Sequence, residues 1–305
     1  MNRRTVLGNF VAGLTALQIS KFVYGLEERN HLVERPGIQM YTLMTELQAN
    51  FEPTLLAIRQ IGYTKVESAG LLGKSAKAFR TALDHAGLIC PSSHLFAAHD
   101  DADVSAKLDE FSVIGSKYVV TSFIPVGVVR TDADFGPGGP SITAEDYKRL
   151  GDAVMRLAEQ AHAQGLQCAY HNHNMEFRDL GGGMMGFGLL MENTDPNLVK
   201  FELDCGWADL AGHSPHELLK QYGSRIRMLH VKDFKAVKAP IMTLGTDPAP
   251  LWTELGRGHL DYSPILREAA RLNVESLFVE QEPPYTSFTA LQAADADYRY
   301  LRSLS

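Results

Sequence analysis

The chain has 305 residues, of which 45% are hydrophobic and 21% are charged, and its formal net charge is −7. This composition is ordinary for a globular enzyme and supplies enough apolar material for a sizeable core. The 29 lysines and arginines form no dense basic run, so we expect no nucleic-acid partner, because a phosphate backbone requires a concentrated positive surface. Cys90, Cys168 and Cys205 each lie within an apolar run, which predicts buried thiols rather than a disulfide framework.

The N-terminal segment, residues 1–25, has a pattern typical of a twin-arginine export signal. Arg3 and Arg4 precede a mildly apolar stretch, and Val23-Tyr24-Gly25 is the best cleavage context. The apolar stretch is too short for a membrane span, so we expect no membrane contact in the mature chain. Export predicts a periplasmic protein. The alternative is an N-terminal helix with two incidental arginines in a cytoplasmic protein.

From about residue 36 onward, strand-like and helix-like segments alternate. Eight short runs are rich in β-branched and apolar residues: 37–42, 64–69, 88–95, 117–123, 166–172, 199–204, 226–233 and 276–282. Helix starts and stops lie between them, at Ser75 and Gly87, at Thr143 and Gly165, and at a Ser214 capping box closed by Glu217. This alternation predicts an α/β protein with one domain over residues 26–305, a single (β/α)8 TIM barrel.

Acidic and basic side chains collect where these strands end, and in such a barrel these ends form the active face. They are Glu67, His94, His171, His173, Asp204, His230, Lys232, Glu280 and Glu282. Residues two apart on a strand share a face, so the pairs on one strand can point inward together. A single aspartate there is usually a helix cap, and a single histidine is usually a core residue. Four successive strands ending this way favour a divalent metal site with open positions, suited to Mn²⁺, Co²⁺ or Mg²⁺, with Zn²⁺ as a further candidate.

Five segments resemble the sugar phosphate isomerase/epimerase family, which has a xylose-isomerase-like TIM barrel. They are, in order, "AYHNHNMEF", "FELDCGWADLAG", "IRMLHVKDF", "LGRGHLDYSPIL" and "LFVEQE". The broader group also holds inosose dehydratases, ketose 3-epimerases, 3-keto-glycoside-processing enzymes and endonuclease IV. The resemblance implies a metal bound by a glutamate, an aspartate, a histidine and a glutamate at the ends of strands five to eight. The last three correspond to Asp204, His230 and Glu280.

The fifth strand departs from the family pattern. Many relatives have Glu-Asn-His there, whereas this chain has His171-Asn172-His173. His171 stands at the ligand position, and Glu176 in the following loop is the alternative, either for the metal or for substrate hydroxyls. His173 matches the active-site histidine of the family, which implies a general acid or base.

The resemblance implies a divalent-metal-dependent sugar isomerase or epimerase that acts through an enediolate by proton transfer next to a carbonyl. The alternative is a lyase or hydratase acting on a keto-sugar or 3-keto-glycoside with the same metal site. We expect Lys232 to neutralise the enediolate oxygen, and Glu67, His94 and Trp207 to contact the substrate. Export would favour an unphosphorylated sugar or glycoside. A DNA endonuclease would require a basic groove, and a non-catalytic sugar-binding module would bind its ligand without turnover.

Overall fold

The computed structural model describes residues 30–95, 101–122, 142–242, 251–285 and 287–304. The predicted export signal lies outside these residues. Among the helices that the structure describes, none combines the length and the apolar character that crossing a membrane requires.

Eight parallel strands close into a barrel, which confirms the predicted (β/α)8 fold. They are β1 (Gly37–Gln39), β2 (Lys65–Ala69), β3 (Ile89–His94), β4 (Tyr118–Thr121), β5 (Gln167–His171), β6 (Val199–Asp204), β7 (Ile226–Val231) and β10 (Ser276–Val279). β1 closes the ring by pairing with both β2 and β10. The predicted seventh strand is shorter than expected, because β8 (Asp233–Phe234) leaves the barrel and pairs antiparallel with β9 (Trp252–Thr253).

Helices follow the strands around the outside of the barrel. They are α1 (His31–Glu34), α2 (Met44–Ala49), α3 (Phe51–Ile61), α4 (Ala76–Ala86), α5 (Asp101–Ile114), α6 (Ala144–Ala163), α7 (Gly186–Glu192), α8 (Cys205–Leu210), α9 (Pro215–Tyr222), α10 (Tyr262–Arg271) and α11 (Ala290–Ser303). Short 3₁₀ helices cover Met40–Leu43 and Met175–Phe177.

The predicted helix ends are confirmed with one exception. Ser75 caps α4, the left-handed Gly87 ends it, and Thr143 begins α6 with a complete capping box. The Ser214 side chain accepts from the Glu217 amide as predicted, but the Glu217 carboxylate accepts from Lys220 Nζ at 3.0 Å instead of closing the box. A charged partner one helical turn away therefore competes with the reciprocal capping bond.

Inside the barrel, an apolar layer lies toward the amino ends of the strands and a polar layer lies toward their carboxyl ends. This layering positions the site. Tyr118, Val120, Ala169, Met228 and Phe278 form a small buried cluster inside the ring. Side chains two apart on a strand share a face, so the next inward residues after Ala169 and Met228 are His171 and His230. A polar layer therefore rests directly on the apolar one. The three cysteines are buried and free, as predicted.

Candidate metal centre and active site

Two overlapping sets of side chains could each hold a metal ion at the carboxyl ends of the strands. In each set the donor atoms all lie within 4.8 Å of one another. The inner group consists of His94, His171, Glu202 and His230, and the outer group consists of His171, Asp204, His230 and Glu280. The inner group is fully buried, whereas Glu280 of the outer group is partly exposed, so the outer group faces the barrel mouth.

Strand register brings these residues together. His171 of β5 is the partner of Glu202 on β6, and Asp204 two residues further is the partner of His230 on β7. Because alternate residues of β6 share a face, Glu202 and Asp204 both point into the barrel, one below the other. Parallel pairing alone therefore builds the shared centre of both groups.

In the inner group, one carboxylate oxygen meets three imidazoles. Glu202 Oε2 lies 3.3 Å from His94 Nε2, 3.2 Å from His171 Nδ1 and 3.2 Å from His230 Nε2. Glu67 lies against two of the same nitrogens, with Oε1 2.8 Å from His94 Nε2 and Oε2 2.7 Å from His230 Nε2. The inner layer is thus two glutamates interleaved with three histidines.

In the outer group, the other ring nitrogens of the shared histidines face different carboxylates. His230 Nδ1 lies 3.1 Å from Glu280 Oε2 and 4.0 Å from Asp204 Oδ2. His171 Nε2 lies 3.9 Å from the same Asp204 oxygen. Asp204 Oδ1 accepts from the Trp207 amide at 2.8 Å and so caps α8. The capping role and the site role of Asp204 are compatible because each uses a different oxygen.

Asn172 holds the ends of β5 and β6 together beyond the last backbone pair. Its Oδ1 accepts from the Asp204 amide at 3.0 Å, and its Nδ2 donates to the Asp204 carbonyl at 3.3 Å. The side-chain amide of Asn172 thus takes the place of a backbone hydrogen-bonded pair between the two strands, and it fixes His171 and Asp204 relative to each other.

His173 lies at the mouth, between the outer group and an aromatic wall. Its ring centroid is 5.1 Å from that of His171 and 5.5 Å from that of Trp207. Its amide donates to Glu176 Oε2 at 2.9 Å, and Tyr170 donates to Glu176 Oε1 at 2.7 Å. Glu176 is buried and belongs to neither group, so of the two fifth-strand candidates only His171 lies in a group of side chains that could hold a metal.

Lys232 is buried rather than extended into solvent. Its Nζ lies 2.9 Å from Glu280 Oε2, 2.6 Å from Glu282 Oε1 and 3.6 Å from Asp204 Oδ2. The ammonium also sits 5.0 Å from the ring centroid of Trp207 and 4.9 Å from that of Trp252. The backbone at Gly206 packs directly against Lys232. Only glycine fits there, because a Cβ at this position would be 2.9 Å from the Lys232 carbonyl oxygen.

The charges of the inner layer are set by competition between burial and ion pairing. Burial opposes ionisation of Glu67, but His94 and His230 outweigh it and lower its pKa. Burial and the neighbouring Glu67 raise the pKa of Glu202. Burial disfavours the cation of His94, yet the two glutamates raise its pKa to about 9. The inner layer therefore favours negative charge on Glu67 and positive charge on His94.

At the mouth, the same forces leave a neutral histidine beside a fixed cation. Burial and the Lys232 charge lower the pKa of His173 to about 3. Burial opposes the Lys232 cation, but Glu280, Glu282 and Asp204 raise its pKa above the usual value. Burial raises the pKa of Glu176 to about 7. His173 is therefore unprotonated at neutral pH, whereas Lys232 stays charged.

The structure places two predicted substrate contacts deeper than the sequence indicated. Glu67 has no exposed surface and His94 is only 6% exposed, because their inward positions on β2 and β3 lie below the mouth. Trp207 is also largely buried, but it borders His173 and Lys232. Glu67 and His94 thus contact imidazoles and carboxylates of the site, and their contact with substrate stays a prediction.

Glu202 and Tyr170 are two of the site residues that the sequence pattern did not identify. The signal for Glu202 was present, since in "FELD" it precedes Asp204 by two positions and must share its face. Tyr170 carried no such signal, because its contact with Glu176 depends on the path of the 3₁₀ turn at Met175–Phe177.

Known proteins share both the sequence pattern and the fold. Residues 55–304 match the xylose isomerase-like TIM barrel family. An inosose dehydratase from Clostridium botulinum is 24% identical over 270 residues, which cover 83% of this chain and 89% of that protein. An inosose dehydratase from Geobacillus kaustophilus is 25% identical over 259 residues, covering 77% of this chain and 83% of that protein.

Solved structures show the same barrel. A sugar phosphate isomerase/epimerase from Parabacteroides distasonis superposes with a TM-score of 0.71 at 22% identity, covering 88% of this chain and 96% of that chain. A protein named IOLI, with a bound zinc atom, gives a TM-score of 0.63 at 17% identity over 88% of this chain and 97% of that one. The match over residues 55–304 covers most of the sequence, and the chain therefore belongs to the xylose isomerase-like TIM barrel family.

Proposed function

We propose that the protein is a divalent-metal-dependent lyase that removes water from an unphosphorylated polyhydroxy ketone of the inosose or keto-sugar class. The observation that carries this proposal is the pairing of the outer group with an uncharged His173 at the same barrel mouth. Such a pairing supplies both requirements of elimination next to a carbonyl, a site for a Lewis acid and a base. The relatives named inosose dehydratase favour elimination over isomerisation.

The outer group suits a catalytic divalent ion. His171 Nε2, Asp204 Oδ2, His230 Nδ1 and Glu280 Oε2 would hold it. The side-chain oxygen Asp204 Oδ2 is buried and has no hydrogen-bond partner within the described parts of the chain, which fits an oxygen reserved for a cation. Two imidazoles with two carboxylates suit Mn²⁺, Co²⁺ or Zn²⁺ better than Mg²⁺. A bound ion would supply polarisation of the substrate carbonyl.

His173 is the proton carrier in this proposal. Its neutral imidazole takes the proton from the carbon next to the carbonyl, and the electron pair of that C–H bond moves toward the carbonyl as an enediolate. When the electrons return, the bond to the hydroxyl on the following carbon breaks, and His173 gives its proton to that hydroxyl. The hydroxyl leaves as water, so His173 ends neutral and the balance of atoms closes.

Two neighbours keep His173 in place. Glu176 accepts from its amide, and the Trp207 ring lies against its imidazole. Lys232 has a different role, because its raised pKa excludes it as a base. Its charge instead offsets Asp204 and Glu280, keeping both ionised for the metal, and extends a positive potential toward the enediolate.

Isomerisation is the second candidate, since it shares the first step, and structural neighbours named sugar phosphate isomerase/epimerase favour it. Solvent exchange tests the shared step. In D₂O, the metal-loaded protein should introduce deuterium next to the carbonyl of an inosose, and His173→Gln should abolish this while keeping its metal. The surface variant His85→Gln is the control, since that side chain is 68% exposed. Exchange that persists in His173→Gln would remove His173 as the base.

The substrate class rests in addition on the export signal expected at residues 1–25. A periplasmic enzyme would encounter unphosphorylated keto-sugars, polyhydroxy ketones or 3-keto-glycosides rather than the sugar phosphates of the cytoplasm. Cell fractionation followed by N-terminal sequencing tests this part. We expect a chain shortened near Gly25 in the periplasm, and a full-length chain found only in the cytoplasm would contradict it.

A further inference from the structure

The two histidines shared by the inner and outer groups each turn their two ring nitrogens toward different carboxylates. His171 directs Nδ1 toward Glu202 and Nε2 toward Asp204. His230 directs Nε2 toward Glu202 and Nδ1 toward Glu280. The inner and outer groups therefore lie on opposite edges of the same two rings, and each presents its own complete set of donor atoms.

From this geometry we propose that the inner group is a second metal position, selective for a tetrahedral ion of the Zn²⁺ class and competing with the outer position for the shared histidines. Its ligands are His94 Nε2, His171 Nδ1, His230 Nε2 and Glu202 Oε2. Three imidazoles with one carboxylate form a set typical of zinc rather than of magnesium or calcium.

The three carboxylate–imidazole separations of the inner group match a tetrahedral shell. With metal–ligand bonds of about 2.0–2.1 Å, neighbouring donors of a tetrahedron are separated by about 3.3–3.4 Å. Glu202 Oε2 lies 3.3, 3.2 and 3.2 Å from the nitrogens of His94, His171 and His230. The carboxylate–imidazole separations of the outer group vary more, from 3.1 Å for His230–Glu280 to 4.0 Å for His230–Asp204. An ion that prefers four close ligands is thus better matched to the inner group.

A second observation points to a ligand at this place. The other oxygen of Glu202, Oε1, is buried without a hydrogen-bond partner in the portion of the chain that the structure describes, and Glu202 as a whole has no exposed surface. Leaving a buried carboxylate oxygen unpaired is costly, so such an atom requires an explanation. A cation bound to Oε2 of the same carboxylate would offset part of the negative charge that Oε1 carries, although it would not bond to Oε1.

The charge of the inner layer also suits a dication. Glu67 and Glu202 are both fully buried within reach of the same imidazoles. Two buried carboxylates require two positive charges nearby, because ions in a low-dielectric interior are stable only when compensated. One divalent ion would supply both charges in place of the imidazolium protons and would leave the three imidazoles neutral, as metal ligands must be.

Shared rings make the two positions exclusive. An imidazole that binds an ion through one nitrogen normally carries its proton on the other, and that protonated nitrogen is no ligand. His171 and His230 can therefore serve the inner or the outer ion, but not both. An ion held in the inner group would withdraw two ligands from the proposed catalytic position, so zinc should inhibit turnover supported by Mn²⁺.

The test compares cobalt(II) and zinc binding in variants that remove ligands of one group only. Asp204→Asn with Glu280→Gln removes the outer group, and His94→Asn or Glu202→Gln removes the inner one. The outer variant should keep one equivalent of zinc and the intense visible absorption of tetrahedral cobalt(II), whereas both inner variants should lose that absorption. Ser92→Ala is the matched control, because Ser92 donates to Glu67 in the same layer but offers no metal ligand.

Two results would overturn the proposal. One is an outer variant that binds no zinc after dialysis, and the other is a folded inner variant with the cobalt spectrum of the parent protein. If both inner variants fail to fold by circular dichroism, X-ray absorption of zinc in the outer variant decides, since three imidazole ligands are expected and fewer would contradict the site. None of these measurements uses turnover, so the inner position can fail while the proposed lyase activity stands.

Discussion

The inner and outer polar layers of the barrel contain similar side chains but differ in what compensates their charge. In the inner layer, Glu67 and Glu202 face imidazoles and are closed from solvent. In the outer layer, Asp204 and Glu280 face the same histidines together with the Lys232 ammonium, next to a partly exposed His173. Exposure and a fixed cation, rather than residue type, therefore distinguish the layer that we propose for substrate chemistry from the layer beneath it.

Removing the outer carboxylates should reduce activity more than any other change. We expect Asp204→Asn combined with Glu280→Gln to reduce Mn²⁺-supported turnover below detection. Losing two residues that would bind the metal directly should exceed the ~10–100-fold effects typical of residues that only hydrogen-bond to a metal ligand. The measurement is a steady-state rate over a series of Mn²⁺ concentrations, with Ser92→Ala as the control. Turnover that Mn²⁺ restores fully in the double variant would mean that the outer layer is not the catalytic position.

Removing the proposed base should cause the second largest loss of activity. His173→Gln should lower kcat by about 10²–10⁴-fold, the usual contribution of a general acid or base, with metal content unchanged. Elemental analysis alongside the rate separates this from metal loss. A variant that loses both rate and metal would place His173 among the ligands rather than beside them.

Changes in the inner layer should lower the free energy of unfolding instead of the rate. In metal-chelated protein, Glu67→Gln removes the carboxylate facing His94 and His230, and breaking such a buried pair costs about 3–5 kcal/mol of unfolding free energy. Ser92→Ala removes one hydrogen bond to the same carboxylate and should cost about 1 kcal/mol. Denaturant unfolding of the three proteins checks this. Equal losses in both variants would show that the inner ion pairs do not compensate buried charge.

The smallest effect is a pH dependence from Glu176. Its pKa is raised by burial from 4.5 to about 7, so the folded state holds a proton that the unfolded chain has already released. The protonated Glu176 makes its full contribution to the free energy of unfolding below pH 4.5. This contribution, about 3 kcal/mol, is lost as the pH rises through 7. Relative to Glu176→Gln, the parent should therefore lose stability between pH 4.5 and pH 7 in paired denaturant titrations. A difference that stays constant with pH would contradict the raised pKa.

The fold could be predicted because eight apolar runs, punctuated by caps such as Ser75 and Gly87, allow few other arrangements. The outer residues Asp204, His230 and Glu280 were found because they interrupt apolar strands at the ends that become the mouth. The depth of Glu67 and the folding back of Glu176 onto Tyr170 were not predicted. Both depend on barrel register and on the path of one loop, which a pattern of residue types along the chain does not specify.

The most direct measurement is the mass of the product formed from an inosose by the Mn²⁺-loaded protein, with chelated protein and Asp204→Asn run in parallel. We expect a product lighter by one water molecule, formed only by the metal-loaded parent. A product of unchanged mass would establish isomerisation or epimerisation in place of elimination. Water loss that continues at the same rate in the chelated protein would contradict the metal-dependent mechanism.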